Sequence, residues 1–474
     1  MRSLSLGGSD KNKIRLFAFD TAIFVVGIAL AKAIQFFLLP LYTTYMTTES
    51  YGAAELVNSL SELLYPIVTL CIYDAAFRFA VDEDFDNSKI ATAVTLVLLK
   101  SLLIGTVIFT LLHVILQYEH ALYLLFILYA YAFRMTAAYF ARGKGMIKVF
   151  AISGVVNALA LAFFNVILLV VFNFEAEGYL LSIGLAGIVS TVYLVARAKI
   201  WKDIKFHDDF ALETKTLLAY SIPLIAYNVL YWFTTISGRY VLAWFADEST
   251  VGLYVAVIKI AAVINMLQQA VYAAFQFISS KSFNDENKEQ LYSKIINLMS
   301  SVYFIFGSFA ILLSPILGFI TLRGDFSSAQ IFLPVVLLSA VVACLSSLYG
   351  TMYSTYRETK RMVPVSFLGA TINVVLAILL APSFGIWGVC FATLACNLAQ
   401  VLYKVIDINQ FCKLRYDVVP ILLNSFAIGL ETAIMSLQYR HGIIASASIV
   451  LLVVAGNVFK YRTQIKDLLP SRKR

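Results

Sequence analysis

Fourteen apolar stretches, each close to twenty residues long and parted by short polar turns, run through this sequence and leave little choice of fold. A bilayer core of about 30 Å is crossed by roughly 20 residues of helix. Helix is required because hydrocarbon offers no partner for an open backbone. The stretches are 16–39, 52–74, 90–112, 121–141, 149–172, 178–196, 217–245, 252–279, 291–313, 329–353, 363–381, 385–406, 418–437 and 443–459, with Pro334 and Pro420 interrupting or opening two of them. Of the 474 residues 61% are hydrophobic and 14% charged, against roughly 45–50% and 25% in a soluble domain. No water-soluble core absorbs that excess. The sequence therefore predicts an all-α polytopic membrane protein of about fourteen transmembrane helices. Its 36 Phe and 27 Tyr suit contact with lipid tails and head groups.

Charge distribution orients the helices. With the N-terminus cytoplasmic, 29 Lys and Arg fall on the inner side and only Arg323 and Arg440 on the outer side. This asymmetry predicts an even number of spans with both termini cytoplasmic. The net charge of +8 is spread over short loops rather than one solvated face, so nucleic acid is not an expected partner. Met1 to Arg15 is polar and basic, without the pattern of a signal peptide. The longest inner loop, 197–216, is charged and is expected to lie along the inner surface. Five cysteines without paired spacing read as inert buried thiols.

The halves echo each other. TTYMTTESYGAAELV (Thr43 to Val57) returns two hundred residues later as AWFADESTVGLYVAV (Ala243 to Val257), aligning Tyr45 with Phe245, Ser50 with Thr250, Gly52 with Gly252 and Val57 with Val257. Asn157 and the turn at Gly178 align likewise with Asn373 and the turn at Gly388. Internal repeats of this kind are common in transporters.

No enzyme signature is present. ARGKGM (Ala141 to Met146) lacks the spacing of a phosphate-binding loop, and the four histidines are scattered, so neither a metal nor another cofactor is expected. Charge inside the membrane stands out instead, at roughly 2.5 kcal/mol or more for each side chain held at mid-bilayer. Lys32, Arg239 and Lys259 each lie about 10 Å inside the outer end of their span, and together form a candidate positive shelf facing a wet cavity. Snorkelling to the interface is the bland alternative. Lys100 and Arg134 lie nearer mid-span, suited to a substrate or to a structural acid. Glu55 and Glu62, seven apart, share a helix face and suit either balancing the shelf or carrying a proton. Asp74 and Arg78, four apart, suit a local ion pair or gate, and Glu431 sits in a peripheral late span. Pro66 and Pro223 are bending points or tolerated kinks.

The stretch KIRLFAFDTAIFVVGIALAKAIQFFLLPLYTTYMTTESYGAAELV, followed by DAAFRF (Asp74 to Phe79) and later by VSFLGATINVVLAILLAPSFGIWGVCFATLA (Val365 to Ala395), resembles the polysaccharide-transporter branch of the multidrug/oligosaccharidyl-lipid/polysaccharide exporter superfamily, which includes the Wzx-type O-antigen and capsule repeat-unit flippases. That resemblance implies two six-helix lobes, 1–196 and 217–406, joined by a cytoplasmic linker, 197–216, with two extra helices and a basic tail in 407–474. It implies a central cleft lined by spans one, two, seven and eight in a bacterial cytoplasmic membrane. The implied substrate is an undecaprenyl-pyrophosphate-linked oligosaccharide, moved by alternating access. Lys32, Arg239 and Lys259 would meet its anionic groups, with Asn58, Tyr65, Asn228, Tyr231 and Asn265 as sugar contacts. Membrane lipids, a coupling H+ or Na+, and polysaccharide polymerase machinery are the implied partners. Within the superfamily, a lipid II flippase or a cation-coupled multidrug exporter is the alternative. From outside it, a membrane polysaccharide polymerase would carry a large catalytic outer loop, which this sequence lacks.

Overall fold

The computed structural model describes residues 27, 29–82, 84–117, 120–205, 210–281, 286–356, 358–439 and 441–468. Every regular element among them is helical. Twelve single helices are long and apolar enough to cross a membrane, and a bent pair adds a thirteenth. Half of the first expected span, 16–39, lies outside the described residues. The rest follow the expected order closely, which bears out a fold of about fourteen spans.

Two spans expected as single helices are broken. The stretch 52–74 is α3 (Thr48–Val68) followed by α4 (Ile72–Ala80) at 59°. The stretch 217–245 is α9 (Ala211–Thr235) and α10 (Ser237–Phe245), parted at Ile236. Pro66 lies just before the first break, but α9 runs continuously through Pro223. Pro334 opens α14 (Leu333–Thr355) from its first turn, where a missing N–H leaves no helical bond unmade.

The contacts divide the chain into two compact units at Trp232/Phe233. In the first, α3 and α4 pack with α5 (Asn87–Leu116), α6 (Ala121–Gly143) and α8 (Ala176–Ala198), while α7 (Ile147–Asn165) pairs with α8. Small residues set the spacing. Ala75, Ala76 and Ala80 of α4 meet Ala91, Val94 and Phe140. A side chain at Gly143 would stand 2.7 Å from the Ala80 Cβ and 3.0 Å from the Phe77 carbonyl oxygen. Close approach of this kind drives packing where lipid and Leu are equally apolar. The basic connection after α8 folds back: Lys144 pairs with Asp203 at 2.5 Å and the Lys205 N–H donates to Thr92 at 2.8 Å.

The second unit repeats the plan. Here α11 (Glu248–Lys281) packs on α14, α14 on α16 (Ile386–Ile408), and α15 (Met362–Phe384) on α16, as α3, α6, α7 and α8 do in the first unit. Both units contain the same turn at an offset of two hundred residues. One helix ends at Tyr45 or Phe245 and the next begins at Thr48 or Glu248. The hydroxyl of Thr47 accepts from the Ser50 N–H at 3.1 Å, and the carboxylate of Asp247 accepts from the Thr250 N–H at 2.7 Å. Of the second echo, Asn157 is half-buried in α7, and Asn373 is buried and donates to the Thr234 carbonyl at 2.9 Å beside α10. A second asparagine of α7, the buried Asn165, reaches Tyr42 of α2 (Leu39–Tyr45) at 3.2 Å.

The last two helices, α17 (Val418–Ser436) and α18 (Gly442–Leu468), belong to the second unit and pack on α12 (Lys288–Leu312). The extended chain before α17 is strapped to α12 by Glu289, Ser293 and Asn297, which accept from the N–H groups of Lys413, Arg415 and Asp417 at 3.2, 2.9 and 3.1 Å. The match is geometric: four helical residues rise about 6 Å and two extended residues nearly 7 Å.

Candidate functional site

The break after α3 shapes the polar interior of the first unit. The Cys71 N–H reaches back to the Pro66 carbonyl at 2.9 Å, and Leu70 and Cys71 take φ of 54° and 51°. Two successive non-glycine residues in the left-handed region store strain that their surroundings must hold. Asn228 of α9 supplies one such hold, donating to the Cys71 Sγ at 3.5 Å, and the Trp232 indole donates to the Ser59 carbonyl at 2.8 Å. At the end of α3 the Tyr65, Pro66 and Ile67 carbonyls accept from the Thr69, Cys71 and Leu70 N–H groups.

Around this break runs a seam of tyrosines with one cation. The Tyr131 hydroxyl donates to the Asn58 side-chain oxygen at 2.9 Å, and the Asn58 amide faces Glu62 at 3.5 Å. The Tyr65 ring lies 5.8 Å from Tyr131 and 5.6 Å from Tyr73, whose ring meets Tyr139 edge-on at 5.4 Å. Arg134 stands half-buried with its guanidinium 5.9 Å from the centre of the Tyr131 ring. Its Nε is buried and makes no hydrogen bond among the described residues. Glu62 and Arg134 both lie within electrostatic reach of the Tyr131 hydroxyl. Chemically, this seam presents a cation, a carboxylate, an amide and aromatic faces inside an apolar bundle.

Glu55 and Glu62 do share one side of α3, but Glu55 is drawn into its own unit. It is 1% exposed and accepts from the Tyr179 hydroxyl, with Tyr42 and Tyr51 meeting the Tyr179 ring edge-on. Arg78 does not pair with Asp74. It reaches Asp82 at 3.7 Å, one turn the other way. Asp74 is half-buried at the start of α4, and Asp82, also half-buried, pairs with the exposed Arg78.

The other expected residues divide by unit. In the first, Lys32 is exposed on α1 (29–37), Tyr231 is exposed, and Asn228 is committed to the break. Lys100 is exposed among Leu99, Leu103 and Ile104, and no hydrogen bond or ion pair to an acid holds it among the described residues. In the second, Arg239 is half-buried beside Tyr254, Lys259 is half-buried, and Asn265 is exposed.

Sequence reasoning placed Glu431 only as a charge in a peripheral late span, and it passed over two further buried polar groups in the second unit, Lys404 and Asp407. Glu431 is fully buried and accepts from Ser308 and Ser446, clamping α17 to α12 and α18. Lys404 is buried and donates to the carbonyl and hydroxyl of Ser346 at 2.9 and 2.8 Å. Asp407 is also buried and holds Arg361 at 2.9 Å. The serines of α18, a short loop beyond Glu431, are the sequence signal for one of its partners. Among the described residues no three His, Cys, Asp or Glu gather as metal ligands.

Solved structures share this architecture. A structure described as the lipid II flippase MurJ in an inward closed conformation superposes with a TM-score of 0.69 at 15% identity, covering 94% of this chain and 100% of that one. An inward-facing multidrug resistance MATE family transporter of the MOP superfamily gives 0.62 at 13% identity, over 81% and 95%. A MOP superfamily transporter from Pyrococcus furiosus, described as having a binding pocket of reverse polarity, gives 0.57 at 12%, over 82% and 95%. No curated protein sequence matches the chain significantly. The model of one family, described as polysaccharide biosynthesis protein, matches residues 18–275, more than half of the sequence. The chain therefore belongs to the polysaccharide biosynthesis protein family and has the fold of the flippases and transporters of the MOP superfamily.

Proposed function

We propose that this protein is a flippase that carries an undecaprenyl-pyrophosphate-linked oligosaccharide from the cytoplasmic to the outer leaflet by alternating access, for surface polysaccharide synthesis. The observation that carries the reading is cationic charge retained within apolar spans: Lys32, Arg134, Arg239 and Lys259. Each costs a few kcal/mol in a membrane, and a passenger with a pyrophosphate offsets that cost. Guanidinium groups grip phosphate oxygens in pairs, and ammonium groups act as point charges. Asn58, Tyr65, Asn228, Tyr231 and Asn265 are the proposed sugar contacts, with Lys100 a further cation for the passenger. Glu55, Glu62 and Asp74 are candidates for H+ or Na+ coupling, and Arg78 for a gate. The cytoplasmic membrane is the proposed location, with both termini inside, beside polysaccharide polymerase machinery.

Deleting the gene in its native host tests this. The expected outcome is lipid-linked repeat units stranded on the cytoplasmic leaflet and loss of surface glycan. Intact surface glycan in the deletion strain contradicts it. One observation favours a second reading: the lipid II flippase structure is matched along nearly the whole chain. Under that reading, the protein restores growth of cells depleted of their own lipid II flippase.

A further inference from the structure

The helix α9 has two unlike sides. At about 100° per residue, Tyr220, Tyr227 and Tyr231 project within roughly 20° of one line. Ile222, Ile225, Val229 and Phe233 fall on the opposite side. The three tyrosines are 40%, 41% and 58% exposed. Their heights along the axis differ by roughly 10 and 6 Å, a spacing on the scale of one to two sugar rings. Tyr220 packs edge-on against Phe79 at 5.6 Å, which fixes the lower end of the row. Tyr231, the most exposed, falls at the midpoint of the apolar stretch 217–245.

Hydrocarbon accounts for the Ile222 and Phe233 side of α9 but gives no return for a file of phenols. Tyrosine is at home where a flat apolar ring and a wet polar tip are both in use. At the ends of a span that place is the head-group belt; at the middle of one it is an aqueous passage. Sugars are the complementary ligand, with a C–H face for the ring and hydroxyls for the phenol. An anion alone would call for cations along the row, and an apolar drug for Phe or Leu.

We propose that Tyr220, Tyr227 and Tyr231 form a stacking track along α9 that reads the glycan of the passenger rather than its lipid or pyrophosphate. This rests on the flippase reading above. The track gives span seven a role in retaining the sugars while the charged head group is held by cations elsewhere.

Direct binding tests it. The full chain in lipid nanodiscs is titrated with radiolabelled undecaprenyl pyrophosphate, bare and carrying the host's repeat-unit glycan. The Tyr227→Ala/Tyr231→Ala double variant is expected to bind the glycan-bearing lipid about tenfold more weakly. Its binding of the bare lipid is expected to stay within about twofold of wild type, which also reports that the variant is folded. Tyr227→Phe/Tyr231→Phe, which keeps both rings and loses both hydroxyls, is expected to hold the glycan-bearing lipid more tightly than the alanine pair and less tightly than wild type, with the bare lipid unchanged. Equal weakening toward both lipids, or none toward either, overturns the track. A wild-type chain that binds neither lipid overturns the flippase reading itself.

Discussion

A buried polar side chain in a membrane protein is decided by its partners, and Glu431 shows this at the scale of one residue. Its carboxyl is wholly buried, yet two hydroxyls from two other helices satisfy it. Truncating it leaves Ser308 and Ser446 without their acceptor. Glu431→Ala is expected to lose about 1–3 kcal/mol of stability, read as a fall of several degrees in the melting temperature of the purified protein. Glu431→Gln, which keeps one acceptor oxygen, is expected to lose less. An unchanged melting temperature in the alanine variant would remove the clamp. The same accounting separates Arg134 from Lys100. Arg134 has aromatic faces and a nearby carboxylate, whereas Lys100 stands among exposed leucines and gains nothing from its neighbours. Of the two proposed substrate cations, Arg134 is accordingly the one its surroundings favour.

At the scale of elements, the repeat is written in caps. Thr47 and Asp247 occupy the same place before α3 and α11 and do the same work with different chemistry. The Thr250 N–H holds the Asp247 carboxyl below its ordinary range. Its contribution is therefore in place above the unfolded carboxylate range and is lost as pH falls through the lowered folded value. Asp247→Ala and Thr47→Ala are each expected to cost on the order of 1 kcal/mol near neutrality. Thermal unfolding followed from about pH 6 toward pH 3 should narrow the gap between wild type and Asp247→Ala. A constant gap at every pH contradicts the cap. The spans themselves were legible because hydrophobic length is a local property, and helices α5, α6 and α8 begin and end within a few residues of the apolar stretches. The breaks were less so. Pro66 marks one, but Ile236 carries no signal, and Pro223, which does, lies in unbroken helix. Candidate side chains were legible by type and depth only. Asn58 and Tyr65 are tied to Tyr131, 73 and 66 positions away along the chain, and no local pattern encodes such a partner.

For the whole molecule, two similarly packed sets of helices and a strapped pair of terminal helices account for nearly all of the described residues. The central claim is that cations inside the spans pass an anionic lipid-linked glycan across the bilayer. The most direct measurement is translocation of labelled undecaprenyl-pyrophosphate oligosaccharide in proteoliposomes holding the purified chain, comparing wild type with Lys32→Ala/Arg239→Ala/Lys259→Ala. Each charge-assisted phosphate contact is worth roughly 1.5–3 kcal/mol, so the triple variant is expected to translocate at least about tenfold more slowly at equal protein density. Equal rates for the two proteins, or no translocation by wild type, would contradict the account.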